Sequence, residues 1–280
     1  MTIPDDRFNK FCSLENEILT ITHNSGFFSN CTISLYGIVT YFNHFRKMPE
    51  KIDFSQTFKN FRSKQNLNSY TDYFQPNLAI EIEYHNEINF RALSIFDYQL
   101  ESFEQITPLI QRYFSPAEAV LQKVDILMKK WKVQPEKTIA VCYRGTDKYR
   151  DTGLATFDDF IEKAQFFQRQ YPDYHILIQT DQAQFWDIAV ESLKNIYRFS
   201  ETPFTSSNKV MHEIISDEDK VEWTQWFVAA TIVISRCAFI INHSGNVGRW
   251  ICLYRQSANN MTQYLREKNS ISHTDGHWLS

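Results

Sequence analysis

Glycine is scarce in this 280-residue chain, with seven residues where a share of about 7% is usual. None are spaced as a full glycine-rich dinucleotide fingerprint. Cysteine is sparse and odd in number: Cys12, Cys31, Cys142, Cys237 and Cys252 are scattered, and no two have zinc-ligand spacing. That pattern excludes a disulfide framework and a zinc finger. Excess positive charge is also missing. The net charge of −4 argues against a broad nucleic-acid surface, while leaving room for a basic pocket around one small anion. No window approaches the ~18 uninterrupted apolar residues of a membrane span; the nearest, Trp226 to Ile234, is half that and reads as a buried helix. The opening Met-Thr-Ile-Pro-Asp-Asp-Arg has no signal-peptide core, so a reducing, soluble, cytoplasmic setting is expected. No repeat or low-complexity tract interrupts the chain.

What is present is aromatic mass, with 23 Phe and 14 Tyr spread as core residues are. The few glycines are placed with economy. Gly26, Gly145, Gly153, Gly245 and Gly248 follow predicted strands or sit in the turns just after them. The organising stretch is Thr138-Ile139-Ala140-Val141-Cys142, a buried strand by its β-branched run, ending in Arg144-Gly145-Thr146-Asp147-Lys148. In an open α/β sheet, ligands bind beyond the carboxyl ends of strands. Arginine offers a planar fork to phosphate oxygens, and glycine lets backbone approach a ligand.

In the first half, 17–23 reads as a strand running into Asn24-Ser25-Gly26-Phe27-Phe28-Ser29-Asn30. A helix follows, starting near Ser29 or Asn30 and ending before Pro49. Ile52 to Leu67 reads as an irregular or helical connector. The alternation Ile80-Glu81-Ile82-Glu83-Tyr84 predicts a strand with one solvent face. Ser115-Pro116-Ala117-Glu118 predicts a capped helix start.

The second half alternates strand and helix. Strands are expected at 138–142, 175–181, 196–199 and 238–242. Helices are expected from Thr156 to near Pro172, from 182 to 193 and from 221 to 236. Another begins at Ser244-Gly245-Asn246, a second anion cradle in which hydroxyl, backbone N–H and dipole point one way. This alternation implies a mostly parallel, doubly wound sheet. The loops at Arg144, Asp181 and Ser244 then leave one edge. The tail from Ser257 reads as polar and partly disordered, and His273 and His277 in it read as incidental.

These residues carry a family resemblance. Tyr143-Arg144-Gly145-Thr146-Asp147-Lys148 resembles the His-x-Arg-Arg-Thr-Asp-Lys type of motif of the α1,6-, α1,2- and protein O-fucosyltransferase superfamily. Ser244-Gly245-Asn246-Val247-Gly248-Arg249 resembles its Ser-Ser-x-Val-x-Arg motif, Gln179-Thr180-Asp181 its Ala-Thr-Asp-Asp strand end, and the loop at 24–30 its N-terminal glycine loop. The resemblance implies a GT-B-like α/β fold: two α/β domains facing across a cleft, a short one at 1–134 and a Rossmann-like one at 135–280. It implies an inverting transfer of fucose from GDP-fucose to a sugar hydroxyl, with no metal and no further cofactor. The donor site implied comprises Gly26, Phe27, Arg144, Thr146, Lys148, Asp181, His243, Ser244, Gly245 and Asn246. Arg144, Asp147 and Asp151 are the catalytic candidates, one of the two aspartates being the base. The family's first His is Cys142 here, its second Arg is Gly145 and its second Ser is Gly245. The base-contacting acid of some members falls near Ala230, and the base of α1,6 enzymes near Thr152. A transferase for another nucleotide sugar, or a catalytically silent nucleotide-binding paralogue, stays open beside the fucosyl reading. The acceptor and the oligomeric state are not legible.

Overall fold

The computed structural model describes residues 3–62, 69–82, 86–92, 97–145, 155–206, 209, 211–266 and 276–279. Helix α1 (Asp6–Phe11) starts on Asp5, whose carboxylate accepts the N–H groups of Arg7 and Phe8, both at 2.9 Å. Such a side-chain oxygen satisfies donors that a first turn leaves open. Strands β1 (Cys12–Glu15) and β2 (Ile18–Ile21) form an antiparallel hairpin through Asn16 and Glu17, both at positive φ. That is the two-residue geometry matching the twist of a hairpin.

Helix α2 (Phe27–Phe45) follows, and β3 (Lys51–Asp53) returns parallel to β2. The helix begins before Ser29 and Asn30, the expected caps, because Gly26 supplies the extended break. Asn30 clasps the loop instead, bonding the N–H (2.7 Å) and C=O (3.3 Å) of Ser25.

Two expectations for the first half are corrected. Ile80–Ile82 do not form a strand, and Glu83 and Tyr84 lie outside the described residues. Carbonyls of Leu78 and Ile80 are met by the Arg112 guanidinium rather than by a neighbouring strand. The alternating pattern had no ladder to join. The proline-linked start is displaced as well: α4 (Glu118–Lys130) has Ala117 as its cap. Ser115 Oγ donates to Gln111 O (2.6 Å), closing the preceding helix α3 (Phe103–Tyr113). The sequence pattern announces no helix there, since an internal Pro108 reads as a breaker, although Ile106, Leu109, Ile110 and Tyr113 fall on its buried face, the spacing of one helical stripe.

The second half follows its expected order: β4 (Thr138–Tyr143), α5 (Phe157–Gln170), β5 (His175–Thr180), α6 (Ala183–Ser192), β6 (Ile196–Tyr197), α7 (Met211–Ile214), α8 (Lys220–Ser235), β7 (Phe239–His243) and α9 (Asn246–Arg255). Thr156 and Asp159 form the reciprocal capping box at the start of α5. The tail departs from expectation. It adds β8 (Met261–Arg266) parallel to β7, and β9 (Gly276–Leu279) antiparallel to β8. Met261, Tyr264 and Trp278 pack into the core, which an isolated reading of a polar tail does not register.

The six strands lie in the order β6-β5-β4-β7-β8-β9, parallel except at the β8–β9 edge. Cys142 pairs in register with Gln179 on one side and Asn242 on the other. One face, with Ala140, Leu177 and Ile240, packs beneath α8 and α9; the other, with Val141, Ile178 and Ile241, packs against α5 and α6. The three-stranded sheet of β1, β2 and β3 shares no strand with the larger one, but a single apolar core runs from Ile3 through α2, α8 and α9 to Met261. Phe28 joins them, stacking on Trp250 (5.7 Å) and meeting Phe227 (5.3 Å), while Trp250 Nε1 donates to Thr32 Oγ1 at 3.0 Å. No helix of the described residues is long and apolar enough to cross a membrane.

Trp250 is fully buried where α2 meets α9. Trp250→Ala is expected to cost about 3–5 kcal/mol in urea unfolding, from lost burial and the cavity left behind; a loss below about 1 kcal/mol would show that the two halves do not depend on this joint.

Candidate functional site

The sheet reverses its direction of growth between β4 and β7: β5 and β6 lie to one side, β7 and β8 to the other. Connections leaving such neighbours diverge and open a crevice at their carboxyl ends. Arg144 leaves β4 there and Ser244 leaves β7. His243 joins them, its Nε2 lying 3.1 Å from Arg144 N and 3.0 Å from Arg144 O. Either tautomer therefore ties the two strand ends. Asp181, at the end of β5, accepts the Gly145 N–H through Oδ1 (3.0 Å), and its Oδ2 lies 3.8 Å from Arg144 Nε. One carboxylate thus holds both the turn and the root of the guanidinium. The Arg144 side chain keeps 39% of its surface exposed and borders the cleft.

At the other strand end the turn is firmly held. Ser244 N–H and Oγ both donate to Tyr264 O (3.0 and 3.2 Å), and Gln263 Nε2 donates to Ser244 Oγ at 3.0 Å. Tyr98, reaching over from the first half, accepts the Gly245 N–H at 2.7 Å and donates to Gly245 O at 2.6 Å. The donors expected of Ser244 and Gly245 are already engaged within the protein. The open ones come next: the N–H groups of Asn246, Val247 and Gly248 have no partner among the described residues. They form the first turn of α9, where free N–H groups and the helix dipole attract an anion.

The facing wall comes from the first half. Gly26, Phe28 and Ser29 at the start of α2, with Phe61, oppose Arg144 and the α9 start. Trp223 and Phe227 of α8, with Met211 and His212 of α7, close one side. The cleft is open on one side and holds about 160 Å³, far above the roughly 10–15 Å³ one water needs. Phe27 borders the space, but its ring is locked among Phe58, Phe61, Tyr73 and Phe74 at 5.0–5.9 Å.

The glycines divide into two kinds. A Cβ on Gly145 would strike Gln182, and one on Gly248 would come within 2.8 Å of the Tyr98 hydroxyl; these are packing glycines. Around Gly26 and Gly245 a Cβ would meet nothing within 4 Å, and neither backbone is left-handed. Local structure asks for glycine at neither place. Both border the cleft, so the missing side chains leave room inside it.

Of the residues expected at the site, Gly26, Phe27, Arg144, Asp181, His243, Ser244, Gly245 and Asn246 all border this one cleft. Thr146, Asp147, Lys148 and Asp151, with Thr152, lie outside the described residues.

No protein-family model matches the chain, and no curated protein is similar to it. Solved structures are. A selenomethionine form of the fucosyltransferase NodZ from Bradyrhizobium aligns over 95% of this chain and 98% of its own, with a TM-score of 0.51 at 12% identity. A second NodZ structure covers 88% and 94%, with a TM-score of 0.49 at 12% identity. NodZ alpha-1,6-fucosyltransferase soaked with GDP-fucose aligns over 64% of this chain at 16% identity and a TM-score of 0.42; there the chain spans about half the neighbour's length, 52%. The fold is GT-B-like.

Several residues at the site were not read from sequence. Tyr98 carries no motif; it is buried at 2% exposure, and burial drives its hydroxyl pKa far up, so it stays a neutral donor and acceptor. Asn242 is also buried, borders the cleft, and finds no partner for either amide atom among the described residues. A polar residue closing the apolar run Phe239-Ile240-Ile241 was the available signal. Arg249, the last residue of the serine-containing motif, faces away from the cleft. Its guanidinium sits 3.6 Å from Glu101 and over the Phe90 ring, with both charged side chains almost fully buried. Desolvation raises the Glu101 carboxyl to about 7, against the opposing pull of Arg249.

Gly26→Ala and Gly245→Ala are each expected to leave the melting temperature nearly unchanged while weakening ligand binding in the cleft, because the added methyl enters only open space. Equal affinity in calorimetric titration would show that the cleft is not occupied at those points. The Glu101 carboxyl is protonated more readily folded than unfolded. Its contribution is therefore greatest below the ordinary glutamate pKa of about 4.5 and falls as pH climbs to about 7, by on the order of 3 kcal/mol. Glu101→Gln should flatten that decline in urea midpoints across the same window.

Proposed function

We propose that the chain is a glycosyltransferase that binds a nucleotide-sugar donor in this cleft and moves its sugar to an acceptor hydroxyl with inversion, GDP-fucose being the favoured donor. The observation that carries the reading is the convergence of three things on one space. Arg144 leaves β4, the open first turn of α9 leaves β7, and the bare backbone of Gly26 faces both from the other half. A guanidinium beside a helix start is an arrangement for a diphosphate.

In this reading the sugar–phosphate bond breaks through an oxocarbenium-like state, and negative charge grows on the leaving diphosphate. Arg144 and the N–H groups of Asn246, Val247 and Gly248 meet that charge, with no metal called on. Donors held in place before the reaction lower its barrier, and loss of one typically costs ~10²–10³ in rate. Asp181 positions Arg144 and the Gly145 turn. His243 holds the two strand ends together. The Ser244 and Gly245 turn shapes the cradle, while Thr146 and Lys148 belong to the donor loop through their place in the chain. Asp147 or Asp151 removes the acceptor proton. The acceptor is a glycan or another hydroxyl compound, and nucleic acid has no part.

One observation keeps a second donor class in view. Ala230, where an acid would contact guanine, lies buried in α8 among apolar neighbours, so a different base is the alternative.

A thermal-shift panel of GDP, UDP and ADP sugars separates the two, since a ligand at ~100 times its dissociation constant adds ~2.7 kcal/mol. GDP-fucose is expected to give the largest shift; a shift with none of the three would sink the proposal. Arg144→Ala should weaken donor binding at least about 30-fold with the melting temperature little changed, and unchanged affinity would remove Arg144 from the donor site.

A further inference from the structure

Four polar or thiol side chains form one row across the sheet: Gln179 on β5, Cys142 on β4, Asn242 on β7 and Gln263 on β8, joined residue by residue through the strand register. Three of the four are accounted for. Gln179 accepts from Thr202 Oγ1 at 3.3 Å. Gln263 donates to Ser244 Oγ at 3.0 Å and accepts the Tyr98 N–H at 3.1 Å. Cys142 is a buried thiol, held protonated by desolvation, and thiols are tolerated as small hydrophobes. Asn242 alone carries a strong donor and a strong acceptor, each without a partner among the described residues, at 2% exposure.

Its place is specific. The Asn242 carboxamide packs over Gly248, where an added Cβ would lie 3.2 Å from its Cγ, in the first turn of α9. It borders the same cleft as Arg144 and the open N–H groups of that turn, two residues further down β7 than Ser244 and on the same sheet face. A buried amide without partners destabilises the ligand-free protein, so its retention at a cleft wall calls for a ligand. The residue is uncharged, and among the described residues the cationic group bordering the cleft is Arg144 instead. What suits it is a neutral edge with one donor and one acceptor side by side.

We propose that Asn242 is a donor-binding and specificity-determining residue, its amide pairing with the uncharged hydrogen-bonding edge of the nucleotide sugar. This rests on the nucleotide-sugar reading of the cleft. Such an edge has two sources in one ligand, the base or ribose of the nucleoside and the hydroxyl pair of the transferred sugar. A side-chain amide pairs with either, as asparagine does with base edges, and a site that loses such pairing discriminates sharply.

The test is Asn242→Leu, close to the native shape and apolar, titrated with inorganic pyrophosphate, GDP and GDP-fucose. Asn242→Ser, smaller and free of overpacking, gives the same readout if the leucine variant does not fold. Pyrophosphate affinity is expected to be unchanged, with about a tenfold loss for the intact donor. If GDP shares the loss, the edge is on the nucleoside; if only GDP-fucose loses affinity, it is on the sugar. Wild-type affinity for all three overturns the assignment, as does an equal loss for pyrophosphate, which would mark a general distortion of the cradle. Wild-type protein that binds pyrophosphate but neither GDP nor GDP-fucose overturns the donor reading itself.

Discussion

The arrangement depends on two strand ends held side by side. β4 and β7 are neighbours in space though about a hundred residues apart in the chain, and the imidazole of His243 reaches from one to the backbone of Arg144 on the other. Because the connections leaving them diverge, a crevice opens beyond their carboxyl ends. A charged side chain and a helix start then face one volume. The carboxylate of Asp181, from the next strand over, fixes the Gly145 turn and lies within ion-pair reach of the guanidinium. Preorganisation of this sort lets a site stabilise charge without rearranging during the reaction.

The first half contributes little sheet and much aromatic mass, and its role is positional. Phe28 lodges against Trp250 and Phe227, so the first turn of α2 is fixed by burial in the shared core. Gly26, one residue before that turn, is thereby placed opposite α9. Tyr98 works the same way from further along the chain, holding Gly245 through both its N–H and its C=O. A chain so poor in glycine places two of its seven where packing and backbone angles do not require them. At those points an absence of atoms is the feature maintained, as expected where a ligand comes close to backbone.

Polar groups buried near α9 divide by what they satisfy. Gln263, Ser244 and Tyr98 form a closed set in which donors meet acceptors. Glu101 and Arg249 form a charged pair whose desolvation weakens it; buried pairs of this kind give positional specificity more readily than stability. Asn242 belongs to neither set: it borders the cleft, and both its amide atoms lack a partner among the described residues.

Local signals in the sequence were enough for the second half as far as α9. The β-branched run of β4, the Thr156 box, the apolar length of α8 and the turns at Arg144, Asp181 and Ser244 are each specified within a few residues, and the structure places them as expected. Elsewhere the reading failed where partners are distant. Ile80–Ile82 alternate like a strand, yet a strand exists only if another lies beside it. β8 and β9 sit in a polar tail whose pairing with β7 no local pattern announces. α3 was hidden by Pro108, which the surrounding packing accommodates. The candidate residues were legible as types, but not which donors were open: only the fold shows Ser244 and Gly245 engaged and the next three N–H groups without a partner among the described residues. Propensity and capping act between neighbours in the chain, so sequence alone determined the elements and the turns that carry charge. Burial, strand pairing and hydrogen-bond satisfaction act between groups that only folding brings together, and so the tertiary structure decided which of those turns share a cleft and which of their atoms remain to meet a ligand.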